Sequence, residues 1–356
     1  MVETQELYFA PEPLQQWAAG VLERKGMEPA DALVVADVLV HSNLRGVDSH
    51  GVLRLPIYVG MIERGQINPR PKVEVVRETP ATLLLECDLS IGHPRSVWAM
   101  ERAIEKARQV GVGWAQLRNT AHQGALYYYS LMAARNDMVG MVLTATGPNV
   151  APFGGSARGI GNSPFSFGAP AGKYPPLCLD VATSIVAYGK VRSAASRGEP
   201  IPEGWALDKD GNATVDPEAV VEGVLLPMGM HKGSGMAIMI EAIAGLVGGS
   251  PIIAPSLAGG EALPTEMRTP RGVGSVLLAM DIGAFADLAE YKAQTDEFIE
   301  QVKATRKAPG VEEILMPGEP EAITERRRTS EGIPLHPNLV RQLQELGQRV
   351  ELAFPG

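Results

Sequence analysis

The apolar pattern of this chain changes period twice, and that change limits the fold more than any single motif does. Apolar residues recur at helical spacing through about the first seventy positions. Leu14, Trp17, Ala18 and Leu22 form one such series, and Leu33, Val34, Ala36, Val38, Leu39 and Val40 form the next. The spacing predicts helices over 13–25 and 30–43, with Pro29 suited to a helix start. A third helix is expected over 53–64, ended by Gly65. From residue 72 the chain turns β-rich. Residues 72–77 and 82–86 read as a hairpin around a Thr-Pro turn, and 113–118, 138–144, 177–180 and 274–280 read as strands. Helical spacing returns over 94–110, 125–136, 234–246, 288–307 and 338–352, with 184–196 a further candidate. Residues 147–174 and 198–227 carry the turn signals of loops. Strands and helices do not alternate regularly, so a fully parallel sheet is not expected. The prediction is a mixed α/β protein. Residues 1–70 with 312–356 form a discontinuous helical domain, and residues 71–311 form an α/β domain around a mixed sheet.

The 356 residues suffice for two domains at roughly 100–200 residues each. A 45% hydrophobic and 21% charged composition is ordinary for a globular protein and argues against disorder. The net charge of -9 disfavours nucleic acid or an anionic membrane as partner. Cys87 and Cys178 lie far apart, which is no disulfide framework and fits a reducing compartment. The acidic start lacks a secretory pattern. The most apolar helix-like run, 235–249, is short and carries Glu241, so no membrane span is expected. The cytoplasm is the expected location.

The densest chemistry lies at 44–54, which reads LRGVDSHGVLR. Ser49, His50 and Arg54 sit there among glycines. An imidazole that titrates near neutrality, four residues before an arginine able to grip a carboxylate, suits chemistry on a small anion. A capped helix start, with Asp48 or Ser49 as N-cap, explains the same residues. His122 follows a predicted strand in the glycine-containing stretch RNTAHQG. Asp180 ends another, where it is either a helix N-cap or a site residue. His231-Lys232 opens an apolar helix between glycines, and Arg326–Arg328 is most simply a solvated basic patch. Neither G-x-G-x-x-G after a strand nor G-x-x-x-x-G-K-[ST] is present; the nearest run, Gly159-Ile160-Gly161, lacks the third glycine. A dinucleotide here needs another mode of holding. His41, His50, His93, His122, His231 and His336 form no metal-ligand spacing.

In this order the motifs make the chain resemble the type-2 malate/L-lactate dehydrogenase family, which includes ureidoglycolate dehydrogenase and piperideine-2-carboxylate reductase. The similar segments are LRGVDSHGVLRLP (44–56), RN-x-x-H-x-G (118–124), APFGG (151–155), DVATS (180–184), GK (189–190), IPEGWA (201–206), KGSGM (232–236) and PGE (317–319). The resemblance implies a non-Rossmann cofactor domain on a largely antiparallel sheet. It also implies NAD- or NADP-dependent interconversion of a 2-oxo acid, or a cyclic 2-imino acid, with its reduced form. A homodimer or a multiple of dimers is implied as well. By position, His50 is implied as general acid and base, Ser49 as the residue that orients the imidazole or the substrate, and Arg54 as the carboxylate ligand. His122 is implied to face the same pocket as the second catalytic histidine, and members of the family differ over which of the two moves the proton. Thr146, Asp180, Val181, Ala182, His231, Lys232, Pro317, Gly318 and Glu319 match segments that touch the cofactor in relatives. Three departures mark this chain: Asn162-Ser163-Pro164 in place of Thr-Asn-Pro, Gln123 in place of an aromatic, and Ser234 where tyrosine is common. Two other readings remain open on the sequence. One is a metal-dependent hydrolase using His50, His122 and Asp180; the other is a non-catalytic dimeric metabolite-binding protein.

Overall fold

A computed structural model describes residues 6–249 and 272–355. In chain order the first part runs β1 (Leu7–Phe9), α1 (Pro11–Arg24), α2 (Pro29–Leu44), α3 (Leu55–Glu63), β2 (Glu74–Glu78), β3 (Thr82–Glu86) and α4 (Gly92–Val110). Next come β4 (Val112–Thr120), α5 (Tyr127–Ala134), β5 (Met138–Ala145), β6 (Phe165–Ala169), β7 (Leu177–Val181) and α6 (Tyr188–Arg197). Short pieces follow: β8 (Ala206–Leu207), β9 (Ala213–Thr214), α7 (Ala219–Glu222) and β10 (Val224–Leu225). The chain continues with α8 (His231–Ile240), which loosens into a π-helical turn (Glu241–Leu246), and β11 (Val273–Asp281). It closes with α9 (Leu288–Lys303), α10 (Glu319–Glu331), β12 (Ile333–Leu335) and α11 (Pro337–Arg349).

Both ends of the chain are drawn into one hydrophobic core. Leu14, Trp17 and Leu22 of α1 and Val35 and Leu39 of α2 are buried with Ile333 and Leu335 of β12 and Val340, Leu343 and Leu346 of α11. Each fully buried leucine contributes about 1.5–3 kcal/mol relative to leaving it in water. The segment before α1 is a strand, contrary to the all-helical expectation for the first seventy residues: β1 pairs antiparallel with β12, Leu7 opposite Leu335. Three residues are too few to impose a period on the sequence.

The middle is a seven-stranded sheet in the order β2-β3-β4-β11-β5-β6-β7. Only β3 and β4 are parallel, joined through α4; the other pairs are antiparallel. The alternation of strand side chains gives the sheet two buried faces. Leu277 of β11 and Val142 of β5 pack with Met100 of α4 and Tyr129 of α5 on one side. Their neighbours Val276 and Leu143 pack with Ile240 and Ala244 on the other. Besides β1, the sequence expectation left out β6, α10, β12 and the short pieces β8, β9, α7 and β10 within the 198–227 loop region. β6 sits inside the 147–174 loop region, where flanking prolines and glycines masked a five-residue strand. α10 covers the basic run at 326–328, and a helix with no buried residue carries no apolar stripe to read.

Candidate active site

The stretch at 45–54 follows α2 as two single 3-10 turns, Asp48–His50 and Val52–Arg54. Neither Asp48 nor Ser49 caps a helix, so the capped-start reading does not hold. Asp48 is an anchor instead. Its carboxylate receives Nδ2 of Asn43 at 2.6 Å and both terminal nitrogens of Arg328, at 2.7 and 3.1 Å. Asn43 also accepts the Val52 N–H through Oδ1 at 2.8 Å. Gly51 must lack a side chain here, because a Cβ would stand 2.2 Å from Asn43 Oδ1. Arg328 is therefore no solvated patch residue: its side chain is 12% exposed and bidentate.

The anchored loop presents three groups. Ser49 Oγ meets His50 Nδ1 at 3.0 Å. Arg54 Nε donates to the Ser49 carbonyl at 2.7 Å, which orients the guanidinium. The His50 ring stacks on that of His122, with centroids 5.5 Å apart and planes at 16°. His122 comes from the far side of the site, just beyond β4. Its Nδ1 lies 2.7 Å from the Tyr58 hydroxyl and accepts the Gly124 N–H at 3.2 Å. Behind it sits His93, fully buried, 5.4 Å from the Tyr58 ring and 6.4 Å from that of His122. Burial, then the nearby Arg54 cation, pushes His50 down to about 4. Burial holds His122 well below the usual imidazole range, with His50, Arg54 and His93 adding to it. All three imidazoles are neutral at pH 7.

These groups open onto a cleft of about 480 Å³, a size within the range of small-molecule sites. Ser49, His50, Arg54, His122, Thr146, Asp180, Val181, Ala182 and Gly318 all line it. His231, Lys232, Pro317 and Glu319 do not. His231 and Lys232 are exposed at the start of α8. Pro317 offers its carbonyl to the Cys178 N–H at 2.9 Å. Glu319 binds Lys303 Nζ at 2.7 and 2.9 Å and the Met316 N–H at 2.9 Å.

Asp180 lies on β7 and caps a helix other than the one expected. It accepts the Tyr127 N–H at 2.8 Å, at the start of α5. Burial pushes its carboxyl up to about 6, with Glu321 adding to the rise. Thr146 Oγ1 donates to Asn162 Oδ1 at 2.9 Å, so the departure at 162 is bound into the cleft wall. Gln123 fills the floor with hydrogen bonds from its side-chain amide where an aromatic would pack. Its Nε2 donates to Ser96 at 2.8 Å, and its Oε1 accepts from Thr144 and Ser275 at 2.9 and 2.5 Å.

Sequence reasoning missed Tyr58, Arg45 and Glu321. Tyr58 was findable, because it stands four residues after Arg54 on what becomes the same helical face. Arg45 also lines the cleft, but Glu325 takes its guanidinium at 2.7 Å. The donor set fits an extended polar cofactor: neutral hydroxyls and amides, the Asp180 and Glu321 carboxylates, and open space beside Gly189 where a side chain would meet nothing within 4 Å. Among the described residues, no three His, Cys, Asp or Glu side chains are placed to hold a metal ion. The metal-dependent hydrolase reading is left without support.

Known proteins resemble this chain along nearly its whole length. The family model for malate/L-lactate dehydrogenase matches residues 9–344. L-sulfolactate dehydrogenase of Methanocaldococcus jannaschii is 38% identical over 340 residues, 96% of each chain. Ureidoglycolate dehydrogenase (NAD(+)) of Escherichia coli K12 is 31% identical over 324 residues, 91% of each. The solved structure of malate dehydrogenase from Pyrococcus horikoshii OT3 superposes with a TM-score of 0.88 at 34% identity, covering 100% of this chain and 99% of that one.

Proposed function

Because the chain belongs to the malate/L-lactate dehydrogenase family, we propose that it exchanges a hydride between NAD or NADP and C2 of a small 2-oxo or 2-hydroxy acid. The observation that carries this reading is the convergence of Ser49, His50, Arg54 and His122 on the cleft that Thr146, Asp180, Val181, Ala182 and Gly318 also line. Hydride exchange is the chemistry that a bound nicotinamide supplies. Everything else falls to the chain itself.

Arg54 binds the substrate carboxylate. The bond from its Nε to the Ser49 carbonyl fixes the fork, and its terminal nitrogens have no protein partner among the described residues. His50 moves the proton on and off the C2 oxygen, and Ser49 holds the ring through Nδ1. A pKa near 4 is low for an acid working at neutrality; burial is its larger cause and the Arg54 cation the second. A carboxylate seated on Arg54 offsets that second cause and so raises His50. Matched proton transfer of this kind is worth roughly 10²–10⁴-fold in rate.

On the cofactor side, Asp180 and the backbone of 181–182 and 318 offer polar groups along one wall. Pro317 and Glu319 support this wall through their bonds to Cys178, Lys303 and Met316. His231 and Lys232 stand outside the cleft, near the exposed Met230, Met236, Ile238 and Met239. An exposed apolar row marks an interaction surface. This supports a homodimer through α8 in which those two residues approach the neighbouring subunit. Residues 1–70 with 312–356 then supply Ser49, His50 and Arg54 together with the 317–319 turn, and 71–311 supply His122 and the rest of the cofactor wall. No helix among the described residues is long and apolar enough to cross a membrane. Two free, buried cysteines suit the cytoplasm.

The test is a panel of 2-oxo acids and cyclic 2-imino acids, run with NADH and with NADPH and followed at the nicotinamide absorbance. Consumption with a 2-oxo acid is expected. Consumption with cyclic imines alone would move the assignment to imine reduction. No consumption, together with no thermal shift from either cofactor, would overturn the reading.

A further inference from the structure

The two histidines of the cleft are held differently, and the difference assigns their protons. Among the described residues His50 Nδ1 meets only a serine hydroxyl, which is able to donate or accept. His122 Nδ1 meets the Gly124 amide and the Tyr58 hydroxyl. An amide N–H only donates, so Nδ1 must carry a lone pair. Among the described residues the Tyr58 hydroxyl has no other hydrogen-bond partner, and it belongs to a residue that is 1% exposed. It therefore also donates. Two donors converge on one nitrogen, and a neutral imidazole has a single proton to place. That proton sits on Nε2, the nitrogen left for the cleft.

We infer that Tyr58 is a positioning residue which, with the Gly124 amide, fixes His122 as its neutral Nε2–H tautomer, so that His122 donates a hydrogen bond into the cleft and leaves proton transfer to His50. Gly124 is built for its part. Its φ is +73°, and a Cβ there would lie 2.6 Å from His93 Nε2. The groups facing His122 are His50, His93, Tyr58 and Arg54, none of them anionic, and none favours a second proton on its ring. In reduction, protonated His50 gives its proton to the C2 oxygen and ends neutral, while His122 keeps its own proton throughout. In oxidation the same proton returns to His50. A fixed donor aimed at an oxygen that gains charge lowers the barrier without moving a proton.

The role in catalysis rests on the dehydrogenase reading, but the tautomer does not, and the experiment separates the two. The full chain is labelled with ¹⁵N-histidine, and long-range ¹H–¹⁵N spectra are recorded without cofactor or substrate. The His122 signals are assigned by their loss in His122→Gln. The expected result is an unprotonated-type Nδ1 and a protonated-type Nε2, unchanged between about pH 5 and pH 8. Tyr58→Phe keeps the ring and removes one donor. Its two His122 nitrogens should move toward each other, and its kcat should fall with KM for the acid unchanged. The fall should stay below the roughly 10²–10³-fold that loss of a whole oxyanion donor costs. A protonated-type Nδ1, a His122 that titrates in this range, or a Tyr58→Phe protein with unchanged spectrum and kcat would overturn the inference. A chain that turns over no acid yet gives the expected spectrum would sink the dehydrogenase reading and leave the tautomer standing.

Discussion

Among single residues, His93 shows what the packed site costs. It is fully buried, and neither ring nitrogen has a protein partner among the described residues. Burial lowers it to about 3, with His50 and Arg54 adding to the shift. The native protein therefore keeps it neutral, whereas the unfolded chain protonates it below its ordinary value of 6.5. Its contribution is present above pH 6.5 and is lost as pH falls toward about 3, at up to about 1.4 kcal/mol per pH unit. His93→Phe should remove that slope. Urea unfolding of the variant should lose about 2 kcal/mol less than the wild type between pH 6.5 and pH 5. Equal losses in the two proteins would clear His93. In sequence His93 was one histidine of six. Nothing local distinguished a core imidazole at the start of α4 from one lining a cleft, because burial is decided by what packs around a residue.

At the scale of elements, the catalytic loop and α10 behave as one unit. Helical periodicity found α1, α2, α4 and α9 because each has an apolar stripe to bury. It missed α10, whose residues are all at least partly exposed. That helix nevertheless delivers Arg328 to Asp48 and to the Asn43 carbonyl at 2.5 Å. Arg328→Ala should loosen the turns that carry Ser49, His50 and Arg54. Asp48 keeps water access, with a side chain 44% exposed, so the stability loss should be only about 1–2 kcal/mol. The loss in kcat/KM should be larger, roughly a hundredfold, because misplacing reacting groups by about 1 Å costs that much. Thermal unfolding and steady-state kinetics on the same preparation check both. Wild-type kcat/KM in Arg328→Ala would mean that Asn43 alone holds the loop.

The whole molecule couples a core shared by both chain ends to a sheet with two covered faces, and the cleft draws lining residues from both. The exposed methionines of α8 lie outside this arrangement, which is why a second copy is expected there. Light scattering on the eluting protein should give twice the 37.9 kDa chain mass, or an even multiple. Met239→Glu should shift it toward the monomer. A wild-type monomer at assay concentration would remove the proposed α8 interface and any role there for His231 and Lys232.

Local periodicity determined the helical ends, the β-rich middle and the irregular alternation that ruled out a parallel doubly wound sheet. The ordered motifs determined the family, and with it the residue types expected in the site. Tertiary structure alone decided which of those residues meet, and through which atoms. Tyr58 reaches His122 across 64 residues of chain, and Arg328 reaches Asp48 across 280. Periodicity records which side of an element faces inward and carries no information about what arrives from the other end of the chain. At residues 44–54 the sequence left an anion site and a capped helix equally open. The packing of α10 and the β4–α5 loop around that stretch turned Asp48 into an anchor and set His50 against His122.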